Sequence, residues 1–145
     1  MQRSLIFLCI LVQLPGCTGT RKKMGTTVSI RDHHWSVEIA ATEEEQTKGL
    51  SGRSNLAEDE GMLFTYPSSR IRSFCMRGCK YPLDIIFIND DKQVINTLEM
   101  QVEDDLVGRK SYTSNRPARY VLEIRGGSVS KTGIIPGDKV IISGL

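Results

Sequence analysis

Apolar and polar residues alternate with a period of two along several short segments of this chain. Trp35, Val37 and Ile39 fall on one face of such a segment, while Ser36 and Glu38 fall on the other. This period is typical of a β-strand with one buried face. Similar or wholly apolar runs predict further strands over residues 26–31, 62–66, 71–76, 83–88, 93–98, 120–124 and 139–142.

One short helix is predicted between the strands, over about residues 43–49. Thr42 is a favourable N-cap residue and Glu45 follows it at the spacing of a capping box, while Gly49 ends the helix. Turns are predicted at residues 89–91 and 136–137. The pattern favours a mainly β fold, a compact sandwich, jelly roll or barrel of short antiparallel strands with one short helix.

The first seventeen residues have a different character. Arg3 precedes an apolar run, Ser4 to Leu14, that is too short to span a bilayer and is typical of a secretory signal. The run ends in Leu-Pro-Gly-Cys, which resembles a bacterial lipobox whose cysteine, Cys17, is acylated. We therefore predict a signal peptide over residues 1–16, a lipidated Cys17 with a tether to residue 25, and one β-rich domain over 26–145. The alternative is an ordinary cleaved signal peptide.

The signal peptide and the lipidated cysteine together predict a membrane-anchored protein of the cell envelope that faces the periplasm. Membrane lipid is then the expected partner of the anchor. The chain has 19 basic and 17 acidic residues and a net charge of +2. This balance lacks the basic excess of nucleic-acid-binding domains, so no nucleic acid is expected as a partner. A small ligand or another envelope protein remains as the expected partner.

Few residues are suited to catalysis. The histidines, His33 and His34, are adjacent and are predicted to lie in a solvated turn with Asp32. The sequence contains no nucleophile elbow, phosphate-binding loop or zinc-type cysteine pair. It therefore predicts neither a cofactor nor a metal, and it favours a protein without catalytic activity.

Two acidic residues, Asp84 and Glu123, interrupt apolar strands. Leu83, Ile85 and Phe87 point to one side of their strand and Asp84 to the other, so Asp84 is expected to be buried. A buried carboxylate needs a partner or its pKa rises. The favoured interpretation is that Arg53 or backbone amides satisfy the two acids, which then fix loops in place. We predict that at least one of the two acids lies within hydrogen-bonding reach of Arg53. The alternative is an envelope hydrolase whose two carboxyls share a cleft at about 5–10 Å.

The thiols of Cys75 and Cys79 are the second group that could have a chemical function. Four residues of extended strand span about 13 Å, which is too far for a disulfide unless the chain bends at Arg77-Gly78. Three interpretations stay open: two structural thiols, a local disulfide, or a thiol or soft-metal site. A soft metal would recruit Met62 or Met76.

Six segments in order resemble one known family, called domain of unknown function 192. They are Gly49-Leu50 with Arg53, Gly61 to Phe64, Phe74 with Met76-Arg77, Tyr81 to Ile88, Ser114 to Glu123, and Gly133 with Gly137-Asp138. The resemblance covers about residues 36–143 and implies a compact, mainly β fold with no established activity. This chain departs from the family at Cys75, where an aromatic residue is common, and at Gly78-Cys79, where Asn-Thr is frequent.

The leading functional interpretation is a lipid-anchored binding or interaction domain that uses the segment from Phe74 to Tyr81. The hydrolase at Asp84 and Glu123 and the thiol or soft-metal site at Cys75 and Cys79 are the alternatives. The candidate functional residues are Arg53, Phe74, Cys75, Met76, Cys79, Asp84 and Glu123, with Cys17 for lipidation.

Overall fold

The computed structural model describes residues 25–104 and 107–145. The predicted signal peptide, Cys17 and nearly all of the tether lie outside these residues. The described elements are, in chain order, β1 (Thr26–Ile30), β2 (His33–Ala40), α1 (Glu43–Lys48), β3 (Glu60–Arg70), β4 (Ser73–Phe74), β5 (Leu83–Ile88), β6 (Val94–Met100), β7 (Tyr112–Thr113), β8 (Ala118–Arg125), α2 (Ser128–Thr132) and β9 (Val140–Ser143).

Seven strands form one curled sheet in the order β6-β5-β8-β3-β2-β1-β9, and β4 pairs with β7 in a separate two-stranded ribbon. The pairs are antiparallel except β2 with β3, which run parallel because the chain returns through α1 and the following loop. The prediction of a mainly β fold is confirmed, and the expectation of antiparallel strands throughout was wrong at this one pair.

The two edges of the sheet meet at one end. The backbone N–H of Val94 donates to the carbonyl oxygen of Asp138 at 2.9 Å, and the N–H of Val140 donates to that of Lys92 at 2.8 Å. These bonds join the starts of β6 and β9, which are the two edge strands. The sheet therefore curls into a half-barrel that is closed at this end.

Each face of the sheet carries its own apolar core. All seven strands contribute to the inner core, which lies in the concavity of the sheet and includes Val28, Trp35, Leu63, Ile86 and Leu122. The outer core lies on the opposite face of the sheet. Its apolar strand residues are covered by the loop after α1, by the β4–β7 ribbon and by the turn that follows β4. Its members include Phe64, Ile85, Phe87, Leu50, Leu56, Met76 and Tyr112. Burial on both faces explains why β5 is wholly apolar except for Asp84.

The predicted helix forms as its sequence indicates. The Thr42 side chain accepts a hydrogen bond from the Glu45 backbone, the Glu45 carboxylate accepts one from the Thr42 backbone, and Gly49 caps the end. A second helix, α2, was not predicted because it has five residues and no side-chain cap at its N-terminus. Neither described helix has the length and apolar character needed to cross a membrane.

Two local predictions were wrong, and one short strand was missed. The strand expected over 71–76 is reduced to β4, because the chain turns at Met76 to Cys79, where the Cys79 N–H donates to the Met76 carbonyl at 3.0 Å. The β7 strand was not foreseen. His33 and His34 lie in β2 instead of a turn, and the reversal is made by residues 31–32, with Arg31 at φ 53°.

Candidate functional site

Glu123 lies in the middle of the sheet, on β8 between β3 and β5. It is paired with Met62 on one side and Ile85 on the other, and its neighbour Val121 belongs to the outer core. The strand period therefore places its side chain on the outer face. The residue is only 5% exposed, although it is a carboxylic acid surrounded by apolar strands.

The carboxyl group of Glu123 has no hydrogen bond or ion pair from residues 25–104 or 107–145. Burial alone raises its pKa to about 8. An acid buried without a compensating charge remains neutral because desolvation penalises the charged form. Near neutral pH this carboxyl is therefore mostly protonated, and its O–H is a hydrogen-bond donor.

A cleft of about 240 Å³ opens above Glu123 on the outer face. Its walls come from the end of α1 and the loop after it, from β3, from β4, and from the turn after β4. Phe64 and Phe74 form an aromatic wall in which the two ring centroids are 4.9 Å apart at nearly a right angle. The other lining residues are Gln46, Thr47, Lys48, Gly49, Leu50, Ser51, Tyr66, Ser73, Cys75, Arg77 and Cys79.

Hydrogen bonds join the two loops that border the cleft. The Ser51 hydroxyl donates to the Arg77 carbonyl at 2.5 Å, and the Gly52 N–H donates to the Gly78 carbonyl at 2.9 Å. Gly78 has a φ of 66°, which permits the tight turn between the two cysteines. The rim of the cleft is thus held by tertiary contacts between segments that are distant in the sequence.

Both cysteines line this cleft as free thiols. The bend at Arg77-Gly78 that a disulfide would require is present, but the bridge is not formed. Desolvation, with smaller contributions from Glu123 and Cys75, raises the pKa of the Cys79 thiol to about 11. Residues 25–104 and 107–145 hold no group of three or more His, Cys, Asp or Glu side chains suited to a metal ion.

Asp84 is buried on the inner face, away from the cleft. Its Oδ2 accepts a hydrogen bond from the Val129 N–H at 2.7 Å. Desolvation raises the pKa of Asp84, and backbone hydrogen bonds from Val129, Gly127 and Ser128 oppose that rise. The Oδ2 of Asp84 therefore holds the start of α2 against the sheet, as expected of an acid bound by backbone amides, whereas its buried Oδ1 has no hydrogen-bond partner in residues 25–104 or 107–145.

Asp84 and Glu123 cannot act together on one substrate. In the pairing of β5 with β8, Ile85 is opposite Glu123 and Asp84 is opposite Ile124. Adjacent residues of a strand point to opposite faces, so the sheet separates the two carboxyls. The shared cleft required by the hydrolase interpretation is absent, and that interpretation is wrong on geometry.

The predicted partnership of Arg53 with one of these acids was also wrong. The Arg53 guanidinium forms a two-pronged ion pair with Glu38, which lies on β2. This pair lowers the pKa of Glu38. Arg53 and Glu38 line a different cleft, together with Leu56 and Gly61. The alternation of apolar and polar residues in β2 predicts that Glu38 is exposed, but it does not indicate that Glu38 pairs with Arg53.

Of the seven candidate residues, the structure brings together Phe74, Cys75, Cys79 and Glu123. Met76 is buried in the outer core, and Arg53 and Asp84 lie elsewhere. Sequence reasoning did not assign Lys48, Ser51 or Tyr66 to the site, and Arg77 lies in the predicted segment from Phe74 to Tyr81 but was not itself a candidate residue. Lys48 and Ser51 flank the helix-ending Gly49, but only the tertiary fold brings that end of α1 to the turn after β4.

A sequence profile of the family DUF192, described as an uncharacterised ACR, matches residues 26–142. The chain belongs to this family. The match covers every strand of the described sheet except the end of β9, so the DUF192 domain and the curled sheet are the same unit. No curated protein sequence matches the chain.

Two solved structures are similar to this DUF192 domain. A protein of unknown function from Novosphingobium aromaticivorans is 36% identical over 80% of this chain and 82% of its own, with a TM-score of 0.71. A protein from Sinorhizobium meliloti, described as a candidate transcription regulator, is 30% identical over 83% of this chain and 93% of its own, with a TM-score of 0.73.

Proposed function

We propose that this DUF192 protein is a non-catalytic binding domain that takes a small molecule into the cleft above Glu123. One observation carries the proposal: a carboxylic acid that is 5% exposed lines an open cleft and has no partner among the described residues. A buried polar group without a hydrogen bond costs about 1–3 kcal/mol. A ligand atom that bonds to Glu123 would remove this cost, and the aromatic wall would bury its apolar part.

The cleft also has the properties of a ligand site in general. It is concave, its wall includes two aromatic side chains, and it places polar and charged side chains beside them, where they can orient a ligand. Its floor is a rigid central strand, and hydrogen bonds between loops fix its rim. Among residues 25–104 and 107–145 no second acid lines the cleft, so the arrangement supports binding better than hydrolysis.

A fragment screen by two-dimensional amide NMR tests this function. Fragments that bind should shift resonances of cleft residues such as Ser51, Phe74 and Cys79. Cys79→Trp should abolish the shifts at Ser51 and Phe74 by filling the cleft, because Cys79 lines the cleft and is close enough to Glu123 to interact with it. Ser143→Trp, which places the same side chain on the edge strand β9, should retain them. A screen in which no fragment shifts the cleft resonances would refute the proposal, as would shifts that survive in a folded Cys79→Trp protein.

We further propose that the domain acts in the cell envelope, attached through Cys17. The support is the sequence pattern of residues 1–17 alone. Intact mass spectrometry of protein isolated from membranes tests it. A chain that begins at Cys17 and carries a diacyl or triacyl increment is expected, and a chain that begins elsewhere or has no lipid would contradict the anchor.

A further inference from the structure

The charged residues of the cleft are distributed unequally between its floor and its mouth. Lys48 and Arg77 line the cleft and are exposed, while Glu123 is buried. The two cations therefore lie at the open end, and the acid lies at the closed end. Neither Lys48 nor Arg77 forms a salt bridge with any residue in 25–104 or 107–145. Among the described residues that line the cleft, Glu123 is the only acid, although Lys48 also interacts electrostatically with Glu38, which lies outside the cleft. The cleft thus presents two cations at its mouth.

The floor and the mouth together specify a ligand class. The geometry points to a small acidic molecule that accepts a hydrogen bond from the Glu123 carboxyl at the floor and places its own carboxylate or phosphate between Lys48 and Arg77 at the mouth. This inference rests on the proposed function and adds the chemistry of the ligand. The part of the ligand between these two points is an apolar or aromatic group, because Phe64 and Phe74 form the wall there.

The neutral state of Glu123 is essential to this selectivity. An ionised carboxylate at the floor would repel an anionic ligand and could not donate a hydrogen bond. Tyr66, Cys79 and Tyr81 are close enough to Glu123 to interact with it, and burial raises the pKa of each of them above its ordinary value. Between pH 6 and 9 none of these three becomes charged to a large extent. Cys75 also faces this site, so its contribution must be tested separately.

Three related probes separate the two recognition points. The first, 4-acetylbenzoate, has a carbonyl acceptor, an aromatic ring and a carboxylate. In 4-acetylbenzamide the negative charge is absent, and in 4-ethylbenzoate the carbonyl acceptor is absent. At pH 6.5 we expect 4-acetylbenzoate to bind about tenfold more tightly than either of the other two, a difference that corresponds to about 1.4 kcal/mol.

Charge variants test the mouth of the cleft. The double variant Lys48→Gln/Arg77→Gln should bind 4-acetylbenzoate and 4-acetylbenzamide with equal affinity. Lys139→Gln removes one exposed positive charge far from the cleft and should preserve the preference for the acid. Equal affinity for acid and amide in the unaltered protein would overturn the ligand class while leaving a binding function intact. Cleft binding of neutral fragments without binding of 4-acetylbenzoate would overturn it as well.

The pH dependence tests the floor. The affinity for 4-acetylbenzoate should fall about tenfold between pH 6.5 and pH 9, because only about a tenth of the protein retains the Glu123 proton at pH 9. Glu123→Gln retains a hydrogen-bond donor that does not titrate, so its affinity should be independent of pH. Cys75→Ser removes the other thiol that faces this site, and its affinity should show the same tenfold fall between pH 6.5 and pH 9, whatever its absolute affinity. A pH dependence that persists in Glu123→Gln, or disappears in Cys75→Ser, would refute the role of Glu123.

Discussion

Asp84 and Glu123 occupy neighbouring strands at nearly the same height, but they lie on opposite faces of one sheet. On the inner face, Asp84 accepts a backbone hydrogen bond at the start of α2. On the outer face, Glu123 lines a cleft and has no such bond within the described residues. The comparison shows that burial of an acid does not by itself indicate function. The group with an intramolecular partner has a structural role, and the group without one is available to a ligand.

The covering of the two faces explains this difference. The inner face is closed by the curl of the sheet, so its core is formed by the strands together with α2 and the segment that follows it. The outer face is covered by loops and by the small β4–β7 ribbon, which leave a gap between α1 and the turn after β4. A ligand site is expected where the cover is made of loops on a rigid scaffold.

The largest expected effect is on stability at high pH in Glu123→Gln. Because the pKa of Glu123 is about 8 in the folded protein and 4.5 when exposed, ionisation opposes folding. The destabilisation is absent below pH 4.5, grows as the pH rises, and levels off above pH 8 at about 5 kcal/mol. Removing the acid should therefore stabilise the protein at pH 9 and not at pH 4.

Denaturant unfolding of both proteins across this pH range measures the effect. Glu44→Gln, which removes an exposed carboxyl from α1, is the matched control and should show no comparable trend. A stability difference between the unaltered protein and Glu123→Gln that does not grow with pH would show that Glu123 is ionised in the folded state.

The next effect concerns the thiols of the cleft face. With its pKa at about 11, Cys79 should be alkylated by iodoacetamide at pH 8 about 100-fold more slowly than an unperturbed thiol, because the thiolate is the reactive form. Mass spectrometry of peptides from a time course measures the rate, with alkylation in denaturant as the reference. Rapid modification of Cys79 in the native protein would contradict the assigned burial of this thiol.

A smaller effect is expected on the inner face from Asp84→Ala. The Val129 N–H would lose its acceptor, and we expect a loss of about 1–3 kcal/mol in the free energy of unfolding. Ligand binding in the cleft should be unchanged, because Asp84 lies on the opposite face. Denaturation and the fragment titration measure these two results. Loss of fragment binding in a folded Asp84→Ala protein would contradict the assignment of separate roles to the two faces of the sheet.

The smallest effect is expected from Arg53→Gln. The ion pair with Glu38 is largely solvent-exposed, since the Glu38 side chain is 62% accessible. Exposed pairs contribute at most about 1 kcal/mol, and we expect the change in unfolding free energy to remain below that value. Denaturant unfolding at low and high salt is the measurement. A loss well above 1 kcal/mol would assign Arg53 a structural role that its position does not indicate.

Local patterns in the sequence were sufficient for several features. The alternation in β2, the capping box at Thr42 and the wholly apolar β5 each depend on neighbouring residues, so the strands, the first helix and the burial of Asp84 could be predicted. The pairing of Arg53 could not, because a long flexible side chain can reach many acids and the fold alone selects Glu38. The cleft was predicted in part, through Phe74, Cys75, Cys79 and Glu123.

The sequence by itself determined a mainly β domain of the DUF192 family with two buried acids, because period, caps and turns are local properties of the chain. Only the tertiary structure decided that the acids lie on opposite faces, that Lys48 and Arg77 line the same cleft, and that Glu123 lacks a partner there. These facts depend on strand register and on loops that meet across the fold. Such contacts join residues far apart in the chain and leave no periodic signal in it.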